Sequence, residues 1–201
     1  MRPFVLIAAL ALFGGESGKA QTGITVRPES KVILLGRTNV HGFSCATSTF
    51  QANLGIDSNN LASRPRTIRL TVTVPVRSLD CGRARMNQDM FKALKADSFP
   101  EIRYVLTSYV VKEQLAAADN FTVNSVGELT VAGKTQRVEL IVNGTRDPAG
   151  SVRGEGSFNL LMTDFGIKPP TAFFGTIRTK NTLTVRVEIR VTQSDVVALR
   201  K

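Results

Sequence analysis

The chain has 201 residues, a length that suits one domain and that all-β barrels reach without splitting. Hydrophobic residues make up 42%, enough for a packed core, which excludes a disordered polymer, and a mean hydropathy near zero argues against an integral membrane protein. The net charge is +10, but the basic residues are dispersed and aromatics are only 6%, so the stacking surface of a nucleic-acid binder is missing. A solvated cationic surface is the better reading, and it leaves room for weak attraction to anionic membranes.

Residues 1–20 stand apart. Arg2 supplies a basic start, residues 4–13 form an unbroken apolar run, and Gly18-Lys19-Ala20 places small residues where a signal peptidase inspects them. The run is too short to span a bilayer as a helix. A signal peptide over 1–20 and a single domain over 21–201 are expected, with the mature protein in the periplasm, or outside the cell where no outer membrane exists. Export favours pairing the only two cysteines, Cys45 and Cys81, with two buried thiols as the alternative. A structural metal is not expected, because two cysteines and one histidine lack the close spacing of a zinc site.

From residue 32 onward, polar and apolar residues alternate with a period of two. The pattern is clearest over 67–74 and 183–191, and shorter β-rich runs fall at 32–35, 102–111, 121–131, 137–142 and 157–162. One apolar and one wet face per strand point to antiparallel sheets. Ala132-Gly133-Lys134 predicts a tight turn, Arg146-Asp147-Pro148-Ala149-Gly150 a loop, and residues 57–65 a polar connection. Residues 87–95 read as one short helix capped by Asn87, with Met90, Phe91 and Leu94 at one-turn spacing to cover an opening of the sheet. Seven to nine strands with one apolar face can close as a barrel or stack as a sandwich.

Catalytic constellations are missing. His41 is the only histidine, Gly42-Phe43-Ser44-Cys45-Ala46 lacks the second glycine of a nucleophile elbow, and Asp80, Asp89, Asp97, Glu128 and Asp164 fall on different elements. No glycine loop that cradles phosphate is present. An enzyme is not expected, and no cofactor.

Three ordered stretches resemble the YceI-like family of exported lipid-binding proteins. They are residues 30–43 with Asn39-Val40-His41-Gly42-Phe43, residues 76–104 with Asp80-Cys81-Gly82 and Phe99-Pro100-Glu101, and residues 126–135 followed by Met162-Thr163-Asp164-Phe165-Gly166 and Lys168-Pro169-Pro170. Tryptophans usual in the family are absent, with Phe43 standing at one such place, and the cysteine pair looks like a subgroup feature. The resemblance implies an all-β fold, an extended antiparallel lipocalin-like barrel of about eight strands with one short helix. Its lumen would hold a polyisoprenoid or a quinone-like amphiphile. Candidate lumen contacts are Phe43, Phe91, Phe99, Tyr104, Phe158, Phe165, Phe173 and Phe174. Oligomeric state stays open, a homodimer included. The alternative is a solid interaction barrel whose basic surface binds envelope polymers or a partner protein.

Overall fold

The computed structural model describes residues 22–23, 27–56, 68–113, 119–149 and 151–191. The expected signal peptide and the 57–65 connection lie outside these residues. The strands are β1 (Thr22–Gly23), β2 (Lys31–Arg37), β3 (Gly42–Thr47), β4 (Gln51–Ile56), β5 (Ile68–Pro75), β6 (Glu101–Glu113), β7 (Asn120–Val131), β8 (Lys134–Arg146), β9 (Val152–Leu161), β10 (Thr171–Ala172), β11 (Ile177–Arg178) and β12 (Thr182–Val191). One helix, α1 (Ala84–Ala93), lies between β5 and β6.

Ten strands form one antiparallel sheet in the order β1-β4-β5-β6-β7-β8-β9-β12-β2-β3, and β10 pairs with β11 as a separate hairpin. The strands β3 and β4 lie towards opposite ends of this order, yet only residues 48–50 separate them in the chain. The ribbon therefore meets itself. Taking β3 and β4 as two halves of one bent strand, eight strands close a barrel of antiparallel neighbours, and closure removes the exposed edges. A bridge between Ala46 and Asp80 adds two backbone hydrogen bonds of 2.9 Å beside this seam.

Parity decides which residues face inward. On β7 Ser125, Leu129 and Val131 are buried, and their cross-strand partners share that face. A bulge between Leu106 and Ser108 on β6 inserts one residue, so Tyr104 and Leu106 before it and Tyr109 and Val111 after it all point inward. Strict alternation would have turned the second pair outward.

The packed core sits at one end. Val76, Leu79, Leu94, Ala96, Leu129, Val131, Met162, Phe165, Ile167 and Leu183 form a buried cluster, against which α1 lays Met90 and Phe91 as their spacing predicts. The helix begins three residues earlier than its expected cap. Arg83 occupies the N-cap without a side-chain bond, and Asn87 lies inside the helix. The Asn87 side chain instead serves the preceding turn: its Oδ1 accepts the Cys81 N–H at 2.8 Å and its Nδ2 donates to Asp80 Oδ1 at 2.8 Å. At the other end Ala96 N donates to Phe91 O and Lys95 N to Lys92 O, a Schellman closure with Lys95 in the left-handed conformation at φ 53°. The 132–134 turn is tight as expected, with positive φ at Ala132 and Gly133.

Candidate ligand-binding lumen

The barrel has a floor and a mouth. The buried cluster, α1, the β7–β8 turn and the 3-10 turn Met162–Phe165 occupy the floor end. At the opposite end the strands β4, β6, β8 and β12 finish and β5, β7 and β9 begin.

Between them the inner wall is aliphatic. On β9 and β12 the pairs Leu160–Leu183, Phe158–Val185, Gly156–Val187, Gly154–Ile189 and Val152–Val191 stack towards the mouth on one face. Leu183 at the floor is buried, whereas Val185, Val187, Ile189, Val191 and Val152 are only half-buried although all face the interior. Inward Tyr109 and Val111 on β6 are 37% and 49% exposed. Side chains in a filled bore would be excluded from water, as Leu183 is. The bore is packed at the bottom and accessible above.

Glycines shape it further. A Cβ at Gly36 would strike the Phe43 ring, one at Gly127 the Tyr104 ring, and one at Gly144 the Phe121 ring. In each case an inward aromatic lies across the neighbouring strand's glycine, flat along the wall instead of standing across the bore. Near the mouth a pocket of about 380 Å³ is lined by Phe121 and Gly144 together with Asn120, Asn143, Arg153 and Glu155. Residues of both sheet faces contribute, which places it at the rim.

One polar atom interrupts the apolar wall. The Tyr104 hydroxyl is buried and makes no hydrogen bond. Burial pushes its phenol up, with Ser125 offsetting part of the effect. The Ser125 hydroxyl, however, is committed to the Leu140 carbonyl at 2.8 Å.

The eight sequence candidates divide. Phe43, Tyr104 and Phe158 face inward on strands and pack against the floor cluster. Phe91 reaches the same cluster from α1, with the Arg77 guanidinium over its ring at 5.4 Å. Phe165, 2% exposed, is part of the floor itself. Phe99 lies on the Gly133 turn, outside the bore. Phe173 and Phe174 stand on the β10–β11 turn, the first largely and the second fully exposed, away from the bore. Sequence reasoning favoured aromatics and passed over the aliphatic wall, for which the alternation over 183–191 was the available signal.

Cys45 and Cys81 form a disulfide joining β3 to the turn before α1. His41 is exposed and enters hydrogen bonds through its backbone, which the Thr38 hydroxyl organises. Among the described residues no cluster of His, Cys, Asp and Glu could hold a metal ion, and no helix is long and apolar enough to cross a membrane. Asp80 is held below the usual carboxylate range by the Asn87 side chain and by the Gly82 N–H.

A meander of antiparallel strands closed over a floor and open at a mouth defines a lipocalin-like barrel. The family follows from the sequence: residues 24–192 match the YceI-like domain, and the chain belongs to that family. No curated protein sequence matches it. Among solved structures the fold is similar to that of BcnA from Burkholderia cenocepacia, with a TM-score of 0.63 at 20% identity over 84% of this chain and 100% of the other. A polyisoprenoid binding domain from Saccharophagus degradans gives 0.62 at 10% identity over 86% and 98%. A Campylobacter jejuni YCEI protein gives 0.53 at 16% identity over 78% and 84%.

Proposed function

We propose that this chain is an exported carrier that holds a polyisoprenoid or similar long-chain amphiphile in its barrel, without catalysing a reaction. The observation that carries the reading is the row Val185, Val187, Ile189 and Val191, which faces the interior yet is only half-buried. An aliphatic wall open to water gains about 0.8 kcal/mol for each methylene it covers, so a long tail binds with few polar contacts. Membership of the YceI-like family and the shared fold of the polyisoprenoid binding domain from Saccharophagus degradans support the same ligand class.

Export is supported by the basic, apolar and small-residue order of residues 1–20 and by the disulfide, a bond that persists in oxidising compartments. The proposed location is the periplasm.

Native mass spectrometry of protein purified from its source cell tests the carrier reading. A co-purifying apolar molecule, and uptake of a polyprenol or quinone by delipidated protein, are expected. Clean apo protein that takes up neither would defeat it. His41→Ala should leave uptake unchanged; loss of a chemical turnover with that variant would instead reveal an enzyme. The net charge of +10 favours a second reading, binding of envelope polymers through the surface, whose mark is association that weakens with salt while the bore stays empty.

A further inference from the structure

The β10–β11 hairpin is not explained by carriage in the bore. Its turn is built from two phenylalanines in the least suitable backbone conformation. Phe173 and Phe174 have φ of 50° and 53°, and Gly175 N donates to Ala172 O at 3.1 Å, closing a turn with positive φ at both central positions. Asn-Gly is the natural occupant of such a turn, and bulky residues are outliers there. Neither ring belongs to the core cluster. Folding therefore gains nothing from this pair, and solubility loses by it.

The hairpin is nonetheless held firmly. Asn39 of the β2–β3 loop donates from its side chain to Thr176 O at 3.0 Å, accepts the Arg178 N–H at 2.9 Å, and donates its own N–H to Arg178 O at 3.0 Å. This brace sets Val40, 67% exposed, on the loop beside the turn. Arg178 Nε donates to Gly175 O at 2.9 Å, drawing the guanidinium to the base of the tip. Exposed Arg37, Lys168 and Lys180 flank the same segment, whose only carboxylate over residues 37–41 and 162–181 is Asp164.

We propose that the Phe173-Phe174 tip is a membrane-docking anchor that inserts into the interface of a bilayer carrying anionic headgroups. Apolar side chains at a tip with cations behind it match the two layers of such an interface, acyl boundary and phosphate plane, in order. The proposal is independent of what fills the bore, and it places the floor end of the barrel, not the mouth, against the lipid.

The chain contains no tryptophan, so Phe174→Trp makes a unique fluorescent reporter. Its emission should shift to the blue with mixed phosphatidylglycerol–phosphatidylcholine vesicles, and much less with pure phosphatidylcholine or at high salt. The double variant Phe173→Asn/Phe174→Gly suits the turn better than the native pair. It should melt no lower than the parent, keep ligand uptake by native mass spectrometry, and yet bind the anionic vesicles about tenfold more weakly or worse. Unshifted emission with anionic vesicles, or undiminished vesicle binding by the double variant, would overturn the proposal. So would a blue shift that grows with protein concentration when no vesicles are present, because the tip would then be meeting a second copy of the chain.

Discussion

Tyr104 shows how a single side chain sets both a cost and an alkaline limit on the barrel's stability. Its hydroxyl is the only buried side-chain polar atom without a partner among the described residues, and such an orphan costs about 1–3 kcal/mol. Tyr104→Phe should therefore raise the stability of the barrel by about 1 kcal/mol in urea titrations. The same group predicts an alkaline limit. Burial raises the folded phenol above its ordinary value, so the neutral ring's contribution is whole below about pH 10. It is lost as pH climbs through the raised value, because the unfolded tyrosine ionises first. Melting temperatures between neutral and strongly alkaline pH should fall less steeply for Tyr104→Phe than for the parent. Gly127 makes the complementary point. Any Cβ there meets the Tyr104 ring, so Gly127→Val should cost about 1–3 kcal/mol and reduce polyprenol uptake by pushing the ring into the bore. Uptake equal to the parent's would show that the ring need not lie flat.

At the scale of elements, the disulfide is the clearest lever. It ties the lumen-facing strand β3 to the turn that launches α1, and closing a loop of that span restricts the unfolded chain by roughly 3–4 kcal/mol. Reduction, or Cys45→Ala with Cys81→Ala, should lower the melting temperature by roughly 10 °C. Hydrogen exchange should rise first in α1, whose register depends on the Asn87 contacts to Asp80 and Cys81. The long alternating strands β5 and β12 and the tight β7–β8 turn were legible in the sequence, because period two and a glycine turn are local signals. Others were not. β3 and β4 are six residues each, and small or polar members such as Ser44, Ala46, Gln51 and Asn53 dilute their alternation. The start of β9 hides behind Gly154 and Gly156, which pack aliphatic neighbours instead of showing a side chain. The start of α1 was misplaced because Asn87, a good cap by type, spends its amide on the turn before the helix. The bulge on β6 reverses parity in mid-strand, something no fixed period can register. For the lumen, aromatic candidates were drawn by size, while facing is set by pairing that only the closed sheet supplies.

For the molecule as a whole, an open upper bore over a packed floor means that ligand and fold share one free-energy ledger. A polyprenol at a hundred times its dissociation constant should stabilise the barrel by about 2.7 kcal/mol, read as a rise in melting temperature that saturates at one molecule per chain. No rise at any concentration would count against carriage. Closure itself rests on an unusual joint. The two flanks of the sheet are united less by a ladder than by residues 48–50 between β3 and β4, with the Thr47 hydroxyl pinned to Ser78 Oγ at 2.9 Å just before them. Those three residues act as the clasp of a bracelet. The bracelet carries a second catch, because the Cys45–Cys81 disulfide and the Ala46–Asp80 bridge cross the same seam, so a backbone nick within the clasp should leave the oxidised hoop shut and let it open only after reduction.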